Sequence, residues 1–131
     1  MHEMAIISYV VDQMDSFAER TRVKEIQTVV LQIGALTGVI PEFVRECWTP
    51  AVHFSKHLQK SNVEIEEIPA KGRCKECGIE YDLQEYEGIC PECISNQYEV
   101  LSGEEMLIKE VKIAESDIMP REQTMGVRTN G

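Results

Sequence analysis

The sequence has 131 residues, 43% hydrophobic and 27% charged, a balance suited to one globular domain or a domain with a small module. Thirteen basic against 23 acidic residues leave a net charge of −10, which repels phosphate backbones and argues against nucleic acid as a partner. No apolar run approaches the ~20 residues that cross a bilayer, and the stretch from Met4 to Val11 lacks a basic n-region and a cleavage site, so neither membrane nor secretion is expected and the location reads as cytoplasmic.

From Glu3 to about Arg20 the apolar residues Ile7, Val10, Val11, Met14, Phe17 and Ala18 recur at helical spacing, with Asp12, Asp15 and Glu19 toward water. This predicts an amphipathic helix. Val23 to Ile33 is rich in β-branched residues and reads as a largely buried strand, Val29, Leu31 and Ile33 on one face and Ile26 and Val30 on the other. Gly34 and Gly38 then mark a loop, and Pro41 suits the first position of a second helix with Glu42 at its positive end. The stripe Phe43, Val44, Cys47, Trp48, Ala51 and Phe54 continues that helix, which Pro50 should kink or interrupt. Cys47 on this stripe reads as core. His53 and His57 fall four apart on the same helix, a spacing that can bind metal, although solvent-exposed helix residues are the simpler reading. Asn62 to Ile68 alternates Val63 and Ile65 against Glu64 and Glu66 as a half-exposed strand, and Met106 to Ile113 closes the pattern as a last strand.

Between these two strands lies a stretch, Ala70 to Leu101, with too few large apolar residues to fold ~30 residues without a staple. It carries Cys74-Lys75-Glu76-Cys77-Gly78 and Cys90-Pro91-Glu92-Cys93, with twelve residues between Cys77 and Cys90. Two residues between paired cysteines let both sulfurs approach one ion, and four thiolates in a closed tetrahedron are a structural zinc pattern. One iron in the same ligand set is a competitor; disulfides are disfavoured by a reducing compartment. A closed set leaves no open coordination position, so this metal is expected to build the fold and not to catalyse. Three basic and seven acidic residues give the stretch a net −4, which turns a knuckle of nucleic-acid type into a protein-facing one.

The expected fold is therefore α+β: two helices packed on a small three-stranded sheet, with an inserted four-cysteine zinc-ribbon-like module. Residues 1–69 and 102–113 are expected to form one α+β domain, which carries the amino terminus, 70–101 a zinc-binding module, and 114–131, which lack periodicity, a flexible tail.

The amino terminus reads Met1-His2-Glu3. The Met1 amine, the His2 amide nitrogen and the His2 imidazole can close consecutive chelate rings around one ion, a planar nitrogen set that suits Ni(II) or Cu(II). The Glu3 amide or carboxylate can add a donor. With this terminus, Ile33-Gly34-Ala35-Leu36 after the first strand, Pro41-Glu42, the two cysteine pairs and Ser102-Gly103-Glu104-Glu105 before the closing strand, the chain resembles the hydrogenase maturation nickel metallochaperone family, HypA/HybF, over residues 1–113. The resemblance implies His2 as the essential nickel ligand, with the Met1 amine and the backbone at His2 and Glu3 helping, and Cys74, Cys77, Cys90 and Cys93 as ligands of a structural zinc. It further implies Ni(II) as cargo for the large subunit of [NiFe]-hydrogenase, a maturation GTPase as partner, and urease accessory proteins for some members. Some relatives carry a histidine in the zinc module that joins the nickel site; this module has none, so a fourth nickel donor is unassigned, with Glu42 a weak candidate. Monomer and homodimer are equally compatible with the sequence. A rubredoxin-like one-iron electron carrier and a zinc-stabilised protein-interaction module are the competing readings. No nucleophile–base pair or phosphate loop marks an enzyme.

Overall fold

The computed structural model describes residues 3–118. Helix α1 (Glu3–Thr21) buries Ile7, Val10, Met14 and Ala18, one residue per turn on a single stripe. Its carboxyl end closes as a Schellman motif: the Val23 amide donates to the Ala18 carbonyl at 2.9 Å while Arg22 takes φ 62°, and Val23 and Ala18 both enter the core.

Strand β1 (Thr28–Gly34) follows, buried at every position except Gln32. A three-residue 3₁₀ turn (Ala35–Thr37) leads to α2 (Pro41–Ala51), and the chain returns as β2 (Asn62–Ile68), parallel to β1. Parallel neighbours need a crossover, and α2 supplies it. The module then leaves the sheet as β3 (Lys71–Cys74), β4 (Glu80–Asp82) and β5 (Tyr98–Ser102), and β6 (Met106–Lys112) comes back antiparallel to β1. The result is two three-stranded sheets, β2-β1-β6 and β4-β3-β5. Both strands that flank the module therefore lie in one sheet, where each pairs with β1.

The helices cover one face of the β2-β1-β6 sheet. Its register sets Val29 beside Val63 and Val111, and Leu31 beside Ile65 and Ile108, all packed in the main core with Trp48 and Leu58. The other face is polar and cross-linked: Glu66 accepts from Gln32 and from Lys109 Nζ at 2.7 Å, and Glu64 pairs with Lys112 at 3.2 Å. Strand alternation thus produces a dry side and a charged side.

Helix α2 ends one residue after Pro50, where the sequence stripe runs on to Phe54. Proline offers no amide to the helix ladder, and the chain turns away after Ala51. Phe54 is consequently 91% exposed, and His53 and His57 are not on a helix at all. His57 is half-buried, against the expectation of an exposed helical residue. Residues 114–118 are also structured. The Lys24 amide donates to the Asp117 carbonyl at 2.7 Å and Ile118 bridges to Val23.

Candidate metal centre

The module is built around sulfur. Its small core consists of Ala70, Cys74, Tyr81, Leu83 and Cys90, with Ile79 and Val100 against it. Strand β3 carries Cys74 and turns at once into the first knuckle, and the Gly78 amide returns to the Cys74 carbonyl at 3.0 Å. In the second knuckle the Ile94 amide donates to the Cys90 carbonyl at 2.9 Å. The two knuckles are alike in needing a left-handed residue after the second cysteine: Gly78 has φ 86° and Ile94 has φ 67°. Glycine meets that need without strain; a β-branched isoleucine does not.

The geometry brings all four cysteine sulfurs within 4.8 Å of one another. Cys74 Sγ and Cys93 Sγ are 3.5 Å apart, and Cys77 Sγ and Cys90 Sγ 3.6 Å. A tetrahedron with ~2.3 Å metal–sulfur bonds has edges of about 3.8 Å, so the cluster fits one tetrahedral dication. Amides point at the sulfurs as they do around a thiolate: Glu76 and Cys77 donate to Cys74 Sγ at 3.3 and 3.4 Å, and Glu92 donates to Cys90 Sγ at 3.4 Å.

Electrostatics agree with that reading. The Cys77 amide, then the Glu76 amide against desolvation, draw Cys74 down to about 6. Cys93 is pushed up to about 12: the Ser95 amide favours its thiolate, but desolvation and the hydrogen bonds of the other three cysteines outweigh it. One thiolate forms readily and opposes the next. A dication at the centre removes that opposition.

Met1 and His2, the first two residues of the expected nickel site, lie outside the described residues. Glu3 opens α1, and its Oε2 accepts from the Ile40 amide at 3.1 Å. Ile40 caps α2 and lines a cleft of about 400 Å³ shared with Ile33, Val39, Glu67, Pro69 and Gln84. Gln84 belongs to the module and donates to the Ala35 carbonyl at 3.3 Å. The anchored start of α1 and the sulfur module therefore meet the same connection between β1 and α2. Nothing near Glu3 in sequence signals its bond to Ile40, which joins residues 37 apart. Glu42, the weak fourth-donor candidate, pairs with Arg45 at 2.6 Å. Cys47 packs against the core as expected.

A family profile described as "Hydrogenase/urease nickel incorporation, metallochaperone, hypA" matches residues 1–113. The chain belongs to the HypA family. It is 39% identical over 115 residues to the hydrogenase maturation factor HypA of Chlorobium luteolum, covering 88% of this chain and 97% of that protein. With the Chlorobium limicola factor of the same name it shares 38% over 117 residues, 89% of this chain and the whole of the relative. A solution structure of the Ni metallochaperone HypA from Helicobacter pylori superposes with a TM-score of 0.61 at 20% identity, covering 86% of this chain and 97% of that one, which shows a shared fold. Membership of the HypA family makes the chain a metallochaperone of hydrogenase and urease nickel incorporation, not an enzyme. No helix among the described residues is long and apolar enough to cross a membrane.

Proposed function

We propose that this chain binds Ni(II) at its amino terminus and delivers it to the large subunit of [NiFe]-hydrogenase, together with a maturation GTPase, in the cytoplasm. Nickel is cargo. Its donors are the Met1 amine, the His2 amide nitrogen and the His2 imidazole, with the Glu3 backbone next to them. Cys74, Cys77, Cys90 and Cys93 hold a zinc ion that builds the module and takes no part in transfer.

The observation that carries the nickel reading is the bond from the Ile40 amide to Glu3 Oε2. That bond supports the reading because it holds Glu3, the residue that follows His2 in the sequence, at the start of α2. Because one Glu3 carboxylate oxygen is engaged there, Glu3 serves as a positioning residue for the terminus. Transfer proceeds by ligand exchange: donors on the acceptor displace imidazole and amine in steps from a shell that is not closed. Imidazole must be unprotonated to bind, so affinity falls as pH drops through and below ~6.5.

The test is transfer of nickel from the loaded chain to apo large subunit, with and without the GTPase. Wild-type protein with its native first residue is expected to donate, and His2→Ala and an amino-terminally extended form to fail. Equal transfer by all three contradicts the proposal.

A further inference from the structure

Each polar atom of His57 has a partner. Its amide donates to Asp15 Oδ1 at 3.2 Å and to Ser55 Oγ at 3.3 Å, and its carbonyl accepts from the Ile26 amide at 2.8 Å. Ring Nδ1 lies 3.0 Å from the Lys24 carbonyl oxygen and Nε2 lies 2.9 Å from Glu19 Oε2. The side chain is 13% exposed, so water has little room to substitute for either partner. A carbonyl oxygen and a carboxylate both accept. Two ring N–H donors are required, and a neutral imidazole carries one.

We infer that His57 is a pH-dependent latch: as an imidazolium its ring bonds Glu19 of α1 and the Lys24 carbonyl of the α1–β1 connection at once, reinforcing the main-chain bonds that join the same elements at any pH, and on losing a proton the ring must give up one of its two bonds. Neutral His57 with its proton on Nδ1 keeps the Lys24 carbonyl and sets a lone pair against Glu19. The opposite tautomer keeps Glu19 and repels the carbonyl.

The surroundings favour the cation. Helix α1 supplies Asp15 and Glu19, and the loop itself supplies Lys56, with Nζ 3.9 Å from Glu19 Oε2. The α1–β1 connection supplies the Lys24 main chain, whose carbonyl oxygen faces Nδ1. On its far side the Lys24 amide is held by the Asp117 carbonyl, so the acceptor facing Nδ1 is braced from behind. Burial pulls the His57 pKa down, but the Glu19 hydrogen bond, the Lys24 carbonyl and the charges of Asp15 and Glu19 outweigh it and hold it above the ordinary value. Glu19 is lowered in return, first by its bond to His57 and then by Lys56. A raised folded-state value means that the latch stabilises the fold below the ordinary histidine pKa and fades as pH climbs through the raised value. On the acid side it lasts until Glu19 is protonated, below its usual range. Between those limits the latch is closed.

Long-range ¹H–¹⁵N correlation spectra of the full chain, labelled in histidine, read the ring directly from pH 5 to 9. The expected result is two protonated nitrogens on His57 at pH 6.5 and a midpoint above ~6.5, moved down by about half a unit or more in Glu19→Gln. A neutral tautomer at pH 6.5, or a midpoint at or below ~6.5, overturns the inference. Release is read separately, from amide exchange at Ile26 and Leu58 in wild-type protein. Exchange should accelerate beyond its intrinsic base dependence as pH rises through the His57 midpoint, and protection unchanged across that midpoint overturns the latch even if the ring is charged.

Discussion

The Glu3 carboxylate and the Ile40 amide meet at 3.1 Å across 37 residues of chain. Ile40 caps α2 and has no side-chain acceptor of its own to offer, so the first residue of α1 completes the start of α2. A carboxylate there also faces the positive end of the helix. The contact ties the first turn of α1 to the start of α2.

Replacing Glu3 with alanine should therefore lower stability by about 1 kcal/mol, the usual effect of losing a helix cap. Glu3→Gln keeps an acceptor without the charge and should fall between the two. Thermal unfolding measures both. Under the proposed function nickel affinity should follow the same order, because an unanchored terminus must be ordered on binding.

Gly34 sits where domain and module join. A Cβ there would lie 2.1 Å from the Gly103 carbonyl oxygen, and Gly103 has no room to retreat: it holds φ 113°, and a Cβ on it would sit 2.7 Å from Ala70 Cα. Main chain, not a flexible side chain, is in the way. Gly34→Ala should cost roughly 3 kcal/mol or more in urea unfolding, at the high end for a single substitution.

The two knuckles make a paired prediction. Ile94 is 71% exposed and holds φ 67°, so Ile94→Gly removes backbone strain without opening a core, and should stabilise the module by roughly 1 kcal/mol. Gly78 has open space around its Cβ position but the same left-handed backbone, and Gly78→Val should destabilise by a similar amount. Resistance of the bound metal to a competing chelator reads both changes, in opposite directions.

Removing the metal should unfold the module and spare the domain. The module core is five buried residues, two of them cysteines of the sulfur cluster, whereas the main core holds fourteen buried residues of its own. Structural zinc contributes on the order of 10–16 kcal/mol in zinc-finger peptides, far more than so small a core can replace. Amide spectra after chelation should show signals of β3, β4 and β5 collapsing while those of α1, β1 and α2 persist. Loss of both sets, or of neither, would count against a separate metal-built module.

Local pattern explains what could be read from sequence. The stripe Ile7, Val10, Met14, Ala18 declared α1, the alternation of Val63 and Ile65 with glutamates declared β2, and the spacing of the four cysteines declared the metal cluster. Strands β3 to β5 were illegible because they are three to five residues long and owe their order to sulfur and not to an apolar face. The fate of His57 was illegible for a different reason. Its ring partners are 33 and 38 residues away, and the end of α2 one residue after Pro50 moves it from a helix face into the α2–β2 connection. Glu3 is the same kind of case, legible as the start of α1 and as a possible donor beside His2 but not as the cap of another helix.

Metal stoichiometry by mass spectrometry under native conditions, on zinc-loaded protein with a free Met1 amine and a slight excess of nickel, tests the central proposal most directly. One zinc and one nickel per chain are expected, with nickel alone lost in His2→Ala and zinc alone lost when Cys74 and Cys93 are replaced. Nickel retained in full by His2→Ala, or lost together with zinc in the cysteine variant while the domain stays folded, would contradict an amino-terminal nickel site separate from the four-cysteine centre.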